Sequence, residues 1–572
     1  MPAPPAVVRK FFSHCGMIRA DPPFGGQVGK RRMQQYRSDV LVIGGGLAGI
    51  VTALELLSAG RSVTLLDRDR KDAFGGQAKE SFGGILLVGT PEQRRTGIRD
   101  TPDLALRDWL SFGAFGREAE AERWPRRWAE AYVHESEGEI YRWLRARDIG
   151  FLPVPLWVER GEQGDGNSVP RWHVTWGTGH RLATRLAGLL REHPRRDALT
   201  LRFDHRVEAL TEAAGRVSGC IGVMTGETER PFTATADCVV VAAGGINGCL
   251  ERVRRHWHAD WGRPPETILN GSHRFADGRL HDAVEAVGGV VSGLDRMWNY
   301  AAGIRHWRPR KPDHGLSLVP PKSALWLNWR GERIGPAPLV GGFDTRELVT
   351  RICGQERAWS WQLLNQRIAL KELAISGAEF NPSLRERSAA GFLRDTLLGN
   401  RWLVREVIEN SPDTVTAATL PELVEKMNAL QGDGAVDLAA VRAAAERYDA
   451  EIARGPALHN DRQLRRIAHL RRWRGDRMRT CAFQPILDPA AGPLIAIREF
   501  IISRKSLGGI RTDLDSRVLD AGDQPVPGLY AVGEAAGFGG GGMNGLRSLE
   551  GTFLGGCIYG ARRAARSIAG RT

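Results

Sequence analysis

Apolar and polar residues follow two rhythms along this chain, and the switches between them mark its organisation. Near the N-terminus, Val40 to Ile43 is a short unbroken apolar run, the pattern of a strand buried on both faces. A helical run from Ile50 to Ser58 follows and stops at Gly60. A second apolar strand, Val63 to Leu66, ends on Asp67. Residues 103–193 read as mainly helical and tryptophan-rich. Trp124 and Trp128 lie one turn apart on a shared face, a spacing that suits core packing. A helix at 181–192 is followed by strands at 202–210 and 217–225, then by a fully apolar strand within Asp237–Gly245. The stretch 275–291 holds a helix ending at Gly288. From about Met297 the texture changes to proline-rich connections, a strand-like segment at 324–329 and a long helical stretch, 345–455. Thr419 and Asp437 sit there as helix caps. The end returns to the first rhythm, with a hairpin at 517–527, a short buried strand within 528–534 and an amphipathic helix at 551–569. Strand–helix–strand units on both sides of a different middle predict an α/β fold. A Rossmann-like dinucleotide-binding domain is split in sequence by an inserted α+β cap. The expected parts are a disordered extension at 1–37, a first nucleotide-domain part at 38–296, the cap at 297–478 and a second part at 479–572.

The chemistry gathers at the strand ends. Gly44, Gly46 and Gly49 follow the first strand in G-x-G-x-x-G spacing, with Gly45, Leu47 and Ala48 between them. Such glycines allow the tight turn, the approach of backbone to a pyrophosphate, and the packing of helix on strand. The helix N-terminus offers free N–H groups to the phosphates. Asp67, about 20 residues on, is placed to accept hydrogen bonds from a ribose. After it, the loop 74–85 (FGGQAKESFGGI) carries two Gly-Gly pairs that suit a backbone lying along a cofactor. Ala243 and Gly244 end the apolar strand where ligands of parallel sheets sit. The run Gly537–Gly545 repeats the glycine spacing, but too little chain follows it for another helix, strand and acid. One dinucleotide site is therefore expected, not two.

Composition narrows this picture modestly. The 572 residues exceed one core, and no run of ~18 apolar residues predicts a membrane span. The formal charge is +14, carried mostly by arginines spread along the chain, which suits a solvated surface better than nucleic acid. The seven cysteines show no metal-ligand spacing, and no metal is expected. Their odd, scattered set suits reduced thiols and a cytoplasmic location. Arg31-Arg32 is not followed by a signal-type apolar region, so export is not expected. Within 168–178, Arg171 or His173 could face a ligand, although core packing is the plainer reading.

Jointly these pieces, with SLGGIRTD at 506–513 and GLYAVGEAAGFGGGGMNGLRSLEGT at 528–552, resemble a flavoprotein superfamily. It comprises soluble fumarate reductases, succinate dehydrogenase flavoprotein subunits and 3-ketosteroid Δ1-dehydrogenases. The chain is most similar to FAD-binding dehydrogenases related to the ketosteroid enzymes. The resemblance implies FAD, and hydride transfer between flavin N5 and a CH–CH bond beside a carbonyl or carboxylate. It places Gly44–Gly49, Asp67 and Arg68 at the ADP half, and Gly75, Gly76, Gln77, Ala78, Ser81, Gly83 and Gly84 along the ribityl and flavin. Val207 falls at the adenine, Ala243 and Gly244 on the pyrophosphate side and Glu534 at the ribityl chain, with Asp277 and Gly533 as further cofactor-binding positions. Ser548 and Leu549 begin the last helix, aimed at the flavin. The loop 75–84 lacks the histidine of covalent-flavin subunits, so the FAD is expected to be non-covalent.

Departures bear on the substrate. The fumarate reductases' histidine and arginine motifs are altered, here reading Arg504-Lys505-Ser506 and Leu546-Arg547-Ser548. Glu550 replaces a family glycine. The ketosteroid enzymes' P-F-Y-A run is Pro493-Leu494-Ile495-Ala496, without its tyrosine. Arg504, Lys505, Arg547 and Tyr300 are the catalytic candidates, with Arg346 in the cap behind them. The expected partners are a small-molecule substrate, with a ring ketone favoured over a dicarboxylate, and a further electron acceptor. A fumarate-reductase-like enzyme, an amine or hydroxyl oxidase, and a basic binding protein with a vestigial flavin site stand as alternatives.

Overall fold

A computed structural model describes residues 33–116, 120–161, 164–335 and 344–570. Two eight-stranded sheets organise the molecule. The first is the nucleotide-domain sheet. Its central strand, Gln34–Ile43, pairs in parallel with Val63–Leu66 on one side and Arg230–Val241 on the other. Leu199–Arg202 and Pro525–Ala531 extend the parallel array at its two ends. The antiparallel hairpin His205–Ala213 and Arg216–Met224 hangs from Arg230–Val241. Val40, Val42, Val63, Leu65 and Val240 are buried on one face, beneath the helices Leu47–Ser58 and Thr552–Ala569. The sequence-distant C-terminal strand, Pro525–Ala531, thus completes the sheet that begins at Gln34, so the domain is split in sequence and whole in space.

The second sheet is antiparallel in most of its pairings. Leu494–Ser506, a strand of 13 residues, is its spine. It pairs with Met297–Arg305, Trp359–Asn365 and Thr414–Ala417, and in parallel with Ile268–Asn270. The sheet therefore reaches beyond 297–478 on both sides. Helices including Leu420–Gln431 and Leu438–Ala453 cover it, and their capping follows the sequence. Thr419 accepts from the Glu422 N–H, and Asp437 from the Ala439 N–H.

Several expectations need correction. Residues 34–37 belong to a strand, because Gln34 to Arg37 pair with Phe232 to Thr235; positions 1–32 of the expected disordered extension lie outside the described residues. The 345–455 stretch is not wholly helical. Trp359–Asn365 is a strand buried on both faces; Trp359, Trp361 and Leu363 alternate with Ser360 and Gln362, a strand signal that the helical reading passed over. Residues 146–177 are largely irregular, with the short strand Trp172–Val174, so the helical reading of 103–193 holds only in part. The final helix starts at Thr552, after Gly551 in a left-handed conformation (φ 96°), and not at Leu549.

Candidate functional site

One cavity of about 930 Å³ runs between the two sheets. Its nucleotide-domain end is built by the first strand–helix turn. Gly44, at φ 114°, carries the chain out of the strand, and its N–H donates to the Leu66 carbonyl at 2.8 Å. A side chain at Gly49 would land on the Gly44 carbonyl, so that glycine lets the helix seat against the turn. At Gly46 a Cβ would meet nothing within 4 Å, since the position faces open cavity at the N-cap of Leu47–Ser58. A helix N-terminus with free N–H groups beside vacant space fits a pyrophosphate.

Asp67 lines the same cavity, and burial pushes its carboxyl up to about 6. A group held this way gains from ribose hydroxyls that donate to the charged form. Around it, ion pairs close the end of the cavity. Arg68 bonds Asp277 at 2.6 Å and lies over the Phe275 ring at 4.3 Å, and Arg274 bonds Asp69 at 2.6 Å. Gly45, Leu47, Ala48, Gly76, Gln77, Ala78, Ser81, Gly83, Gly84, Val207, Ala243, Gly244 and Glu534 also line the cavity. Glu534 Oε1 accepts from the Ser506 N–H at 2.9 Å, and burial raises its carboxyl.

Five of the expected cofactor residues shape the site from behind the lining. Gly49 packs helix on strand, the Gly75 N–H donates to Gly45 at 3.1 Å, and a Cβ on Gly533 would press on Ala48. The Ser548 hydroxyl is buried and bonded to the Leu549 carbonyl and the Thr552 hydroxyl, while Leu549 belongs to the core.

At the second-sheet end the catalytic candidates separate. Tyr300 pairs across the sheet with Ile502, and Arg504, two residues on, places its guanidinium 5.5 Å from the phenol ring centre. The Tyr300 hydroxyl donates to Glu550 Oε2 at 2.7 Å. Burial, then the nearby Glu550, raises the phenol well above its ordinary value. Lys505 lies 4.1 Å from the Phe553 ring centre, and burial pulls its ammonium down, partly offset by Glu550.

Arg547 stands apart. It is ion-paired to Asp165 at 2.8 Å and to Asp344, lies over Phe112, and does not line the cavity. Arg346 pairs with Asp260 at 2.8 Å. Arg171 is 1% exposed and bridges Asp100 and Asp108, while His173 bonds Thr90 at 2.7 Å; both hold the core.

Glu159 was not singled out by sequence. It lies in an irregular segment at φ 55°, and its Oε2 accepts from the Glu550 N–H at 3.1 Å. Burial, then the Glu550 charge, raises its carboxyl well above the usual range. The departure at Glu550 was the one signal in this region.

Among the described residues there is no His/Cys/Asp/Glu group able to hold a metal, and no helix long and apolar enough to cross a membrane. The FAD binding domain family matches residues 39–554. The chain belongs to that family. This flavoprotein is 43% identical over 551 residues to a KsdD-like steroid dehydrogenase of Mycobacterium tuberculosis, covering 93% of this chain and 96% of that protein. Its fold is shared with a 3-ketosteroid Δ1-dehydrogenase from Sterolibacterium denitrificans, solved with 1,4-androstadiene-3,17-dione (TM-score 0.67, 17% identity, 94% of this chain and 100% of that one). A flavocytochrome c3 fumarate reductase in an open conformation also shares it (TM-score 0.63, 18% identity, 94% of this chain and 78% of that one). The flavoprotein is an FAD-dependent oxidoreductase. The glycine turn, the open space at Gly46 and buried Asp67 are the features that fit the ADP half of FAD.

Proposed function

We propose that this flavoprotein dehydrogenates a CH–CH bond beside the carbonyl of a steroid-like ring ketone. The observation that carries the reading is the Tyr300–Glu550 hydrogen bond, in the cavity that also receives the glycine turn. FAD, when bound, supplies the hydride acceptor. Tyr300 takes the proton from the carbon beside the carbonyl while its own proton passes to Glu550. The raised phenol makes a free phenolate costly, so the Glu550 carboxylate is needed to receive that proton. Glu159, whose carboxyl is raised by burial, braces Glu550 through its backbone N–H. Arg504 and Lys505 bring positive charge to the negative oxygen that develops on the ketone.

The likeness to KsdD-like steroid dehydrogenases supports a steroid over a small dicarboxylate. The electron acceptor that reoxidises the flavin is a separate molecule. Among the described residues the cysteines at 220, 238, 249, 353, 481 and 557 form no disulfide, which supports a reducing, cytoplasmic setting. The test is turnover with an artificial electron acceptor over a panel of saturated steroid ketones, dicarboxylates and amines. A steroid ketone should return two hydrogens lighter by mass spectrometry. Conversion of a dicarboxylate or amine alone would overturn the reading.

A further inference from the structure

The cavity does not end at Tyr300. Beyond it the wall becomes apolar, with Leu316, Leu318, Trp326, Leu348, Leu156 and Trp157 lining it. The same lining holds two cations, Lys322 and Arg479, together with the carboxylates Glu372 and Asp476. Lys322 follows the strand Gly315–Val319, and Arg479 follows the short helix Arg474–Met478.

Their surroundings are unusual for this chain. Other enclosed arginines meet carboxylates directly, as Arg333 meets Asp461 at 2.6 Å and Arg171 meets Asp108 at 2.6 Å, although Arg504 in the same cavity does not. Two carboxylates also lie near Lys322 and Arg479, but both are committed to other donors. Glu372 accepts from the Ser323 N–H at 2.8 Å, the Ser323 hydroxyl at 2.7 Å and the Cys481 N–H at 2.6 Å. Asp476 accepts from the Trp157 N–H at 3.0 Å. Among the described residues, neither cation makes a hydrogen bond or an ion pair; the two carboxylates act on them only at a distance. Burial pulls both cations below their ordinary values, and the attraction of Asp476 and Glu372 offsets this only in part. An enclosed cation without a contact partner is expensive, and an incoming anion would relieve it.

The two polar ends of the cavity are joined by a short piece of chain. The Trp157 N–H binds Asp476, and Glu159, two residues on, binds the Glu550 that holds Tyr300. Two residues of backbone span at most ~7 Å, so the Asp476 contact and the Glu550 contact are anchored on neighbouring chain, and one cavity holds Tyr300, Lys322 and Arg479. The lining thus combines a ketone-polarising region, apolar walls, and a polar region where Lys322 and Arg479 stand among Glu372 and Asp476.

We propose that Lys322 and Arg479 form an anion subsite, and that the substrate is a ring ketone whose side chain ends in a carboxylate. This deepens the ring-ketone reading and rests on it. The carboxylate would take charge-assisted hydrogen bonds from Lys322 Nζ and the Arg479 guanidinium while the rings lie against Leu316, Leu318 and Trp326.

The test uses the yellow holoprotein and two probes, a saturated steroid ketone whose side chain ends in a carboxylate and its methyl ester. Binding is read from the perturbed flavin absorption, and turnover from product formation. The acid should bind roughly 10- to 100-fold more tightly than the ester, the range expected for hydrogen bonds to charged groups. Lys322→Met or Arg479→Met should remove most of that preference, and Lys322→Arg should retain it. Equal binding of acid and ester by the wild-type protein overturns the subsite, whatever the variants do, and so does an undiminished preference in folded Lys322→Met and Arg479→Met proteins. Failure of the two readings is distinguishable. If both probes turn over without preference, the subsite falls and the reaction stands; if the acid binds preferentially but neither probe is dehydrogenated, the reaction falls and the subsite stands.

Discussion

Replacing Tyr300 with phenylalanine removes one oxygen and almost no volume, so its consequences can be worked from the hydrogen bond it breaks. The phenol donates to Glu550 Oε2 at 2.7 Å in a buried setting. Losing that donor leaves the Glu550 carboxylate short of a partner, a stability loss of about 1–3 kcal/mol. The kinetic loss should be larger, because general acid–base groups contribute roughly 10²- to 10⁴-fold. Tyr300→Phe should therefore keep its FAD, unfold at a modestly lower temperature, and slow flavin reduction by about two to four orders of magnitude. Glu550→Gln should slow it too, since the amide holds the phenol but cannot receive its proton. Stopped-flow bleaching of the flavin band by a saturated steroid ketone, without oxygen, measures this directly. A Tyr300→Phe protein with full flavin content that bleaches within about threefold of wild type would remove Tyr300 from the chemistry.

Other expectations follow from the cofactor end. Gly46→Val places a side chain in open cavity and should leave the fold intact while weakening FAD by more than about tenfold, whereas Gly49→Ala drives a methyl into the Gly44 carbonyl and should impair folding itself; flavin content and apoprotein melting separate the two. Asp67, raised to about 6, gives a pH signature. In the empty protein its raised value favours the neutral form, so stability falls as pH rises from about 4 to about 6. Ribose hydroxyls favour the charged form, so FAD affinity should be highest above pH 6 and decline as pH drops through it, and Asp67→Asn should flatten that dependence in a flavin titration. Acid precipitation should release all of the flavin into the supernatant, while flavin retained in the pellet would show a covalent bond.

What could be seen in the sequence was what local chemistry dictates. The turn at Gly44–Gly49 needs a strand, small residues and a helix start within a dozen positions, so its pattern survives in one dimension. The Tyr300–Arg504 contact depends on Met297–Arg305 pairing with Leu494–Ser506, nearly 200 residues away, and no period in either strand announces it. Glu159 lies in irregular chain, where neither rhythm operates. Arg547 looked catalytic by motif position, but its carboxylate partners, Asp165 and Asp344, lie hundreds of residues away in sequence and no local pattern announces them. Glu550 was visible only as a departure from a family glycine, and only the hydrogen bond to Tyr300 gives that departure a purpose.

The most direct test is an anaerobic titration of the holoprotein with one equivalent of a saturated steroid ketone. The account predicts loss of the oxidised flavin band in step with the appearance of the desaturated ketone. A band untouched by every ring ketone, yet bleached by a dicarboxylate or an amine, would contradict it.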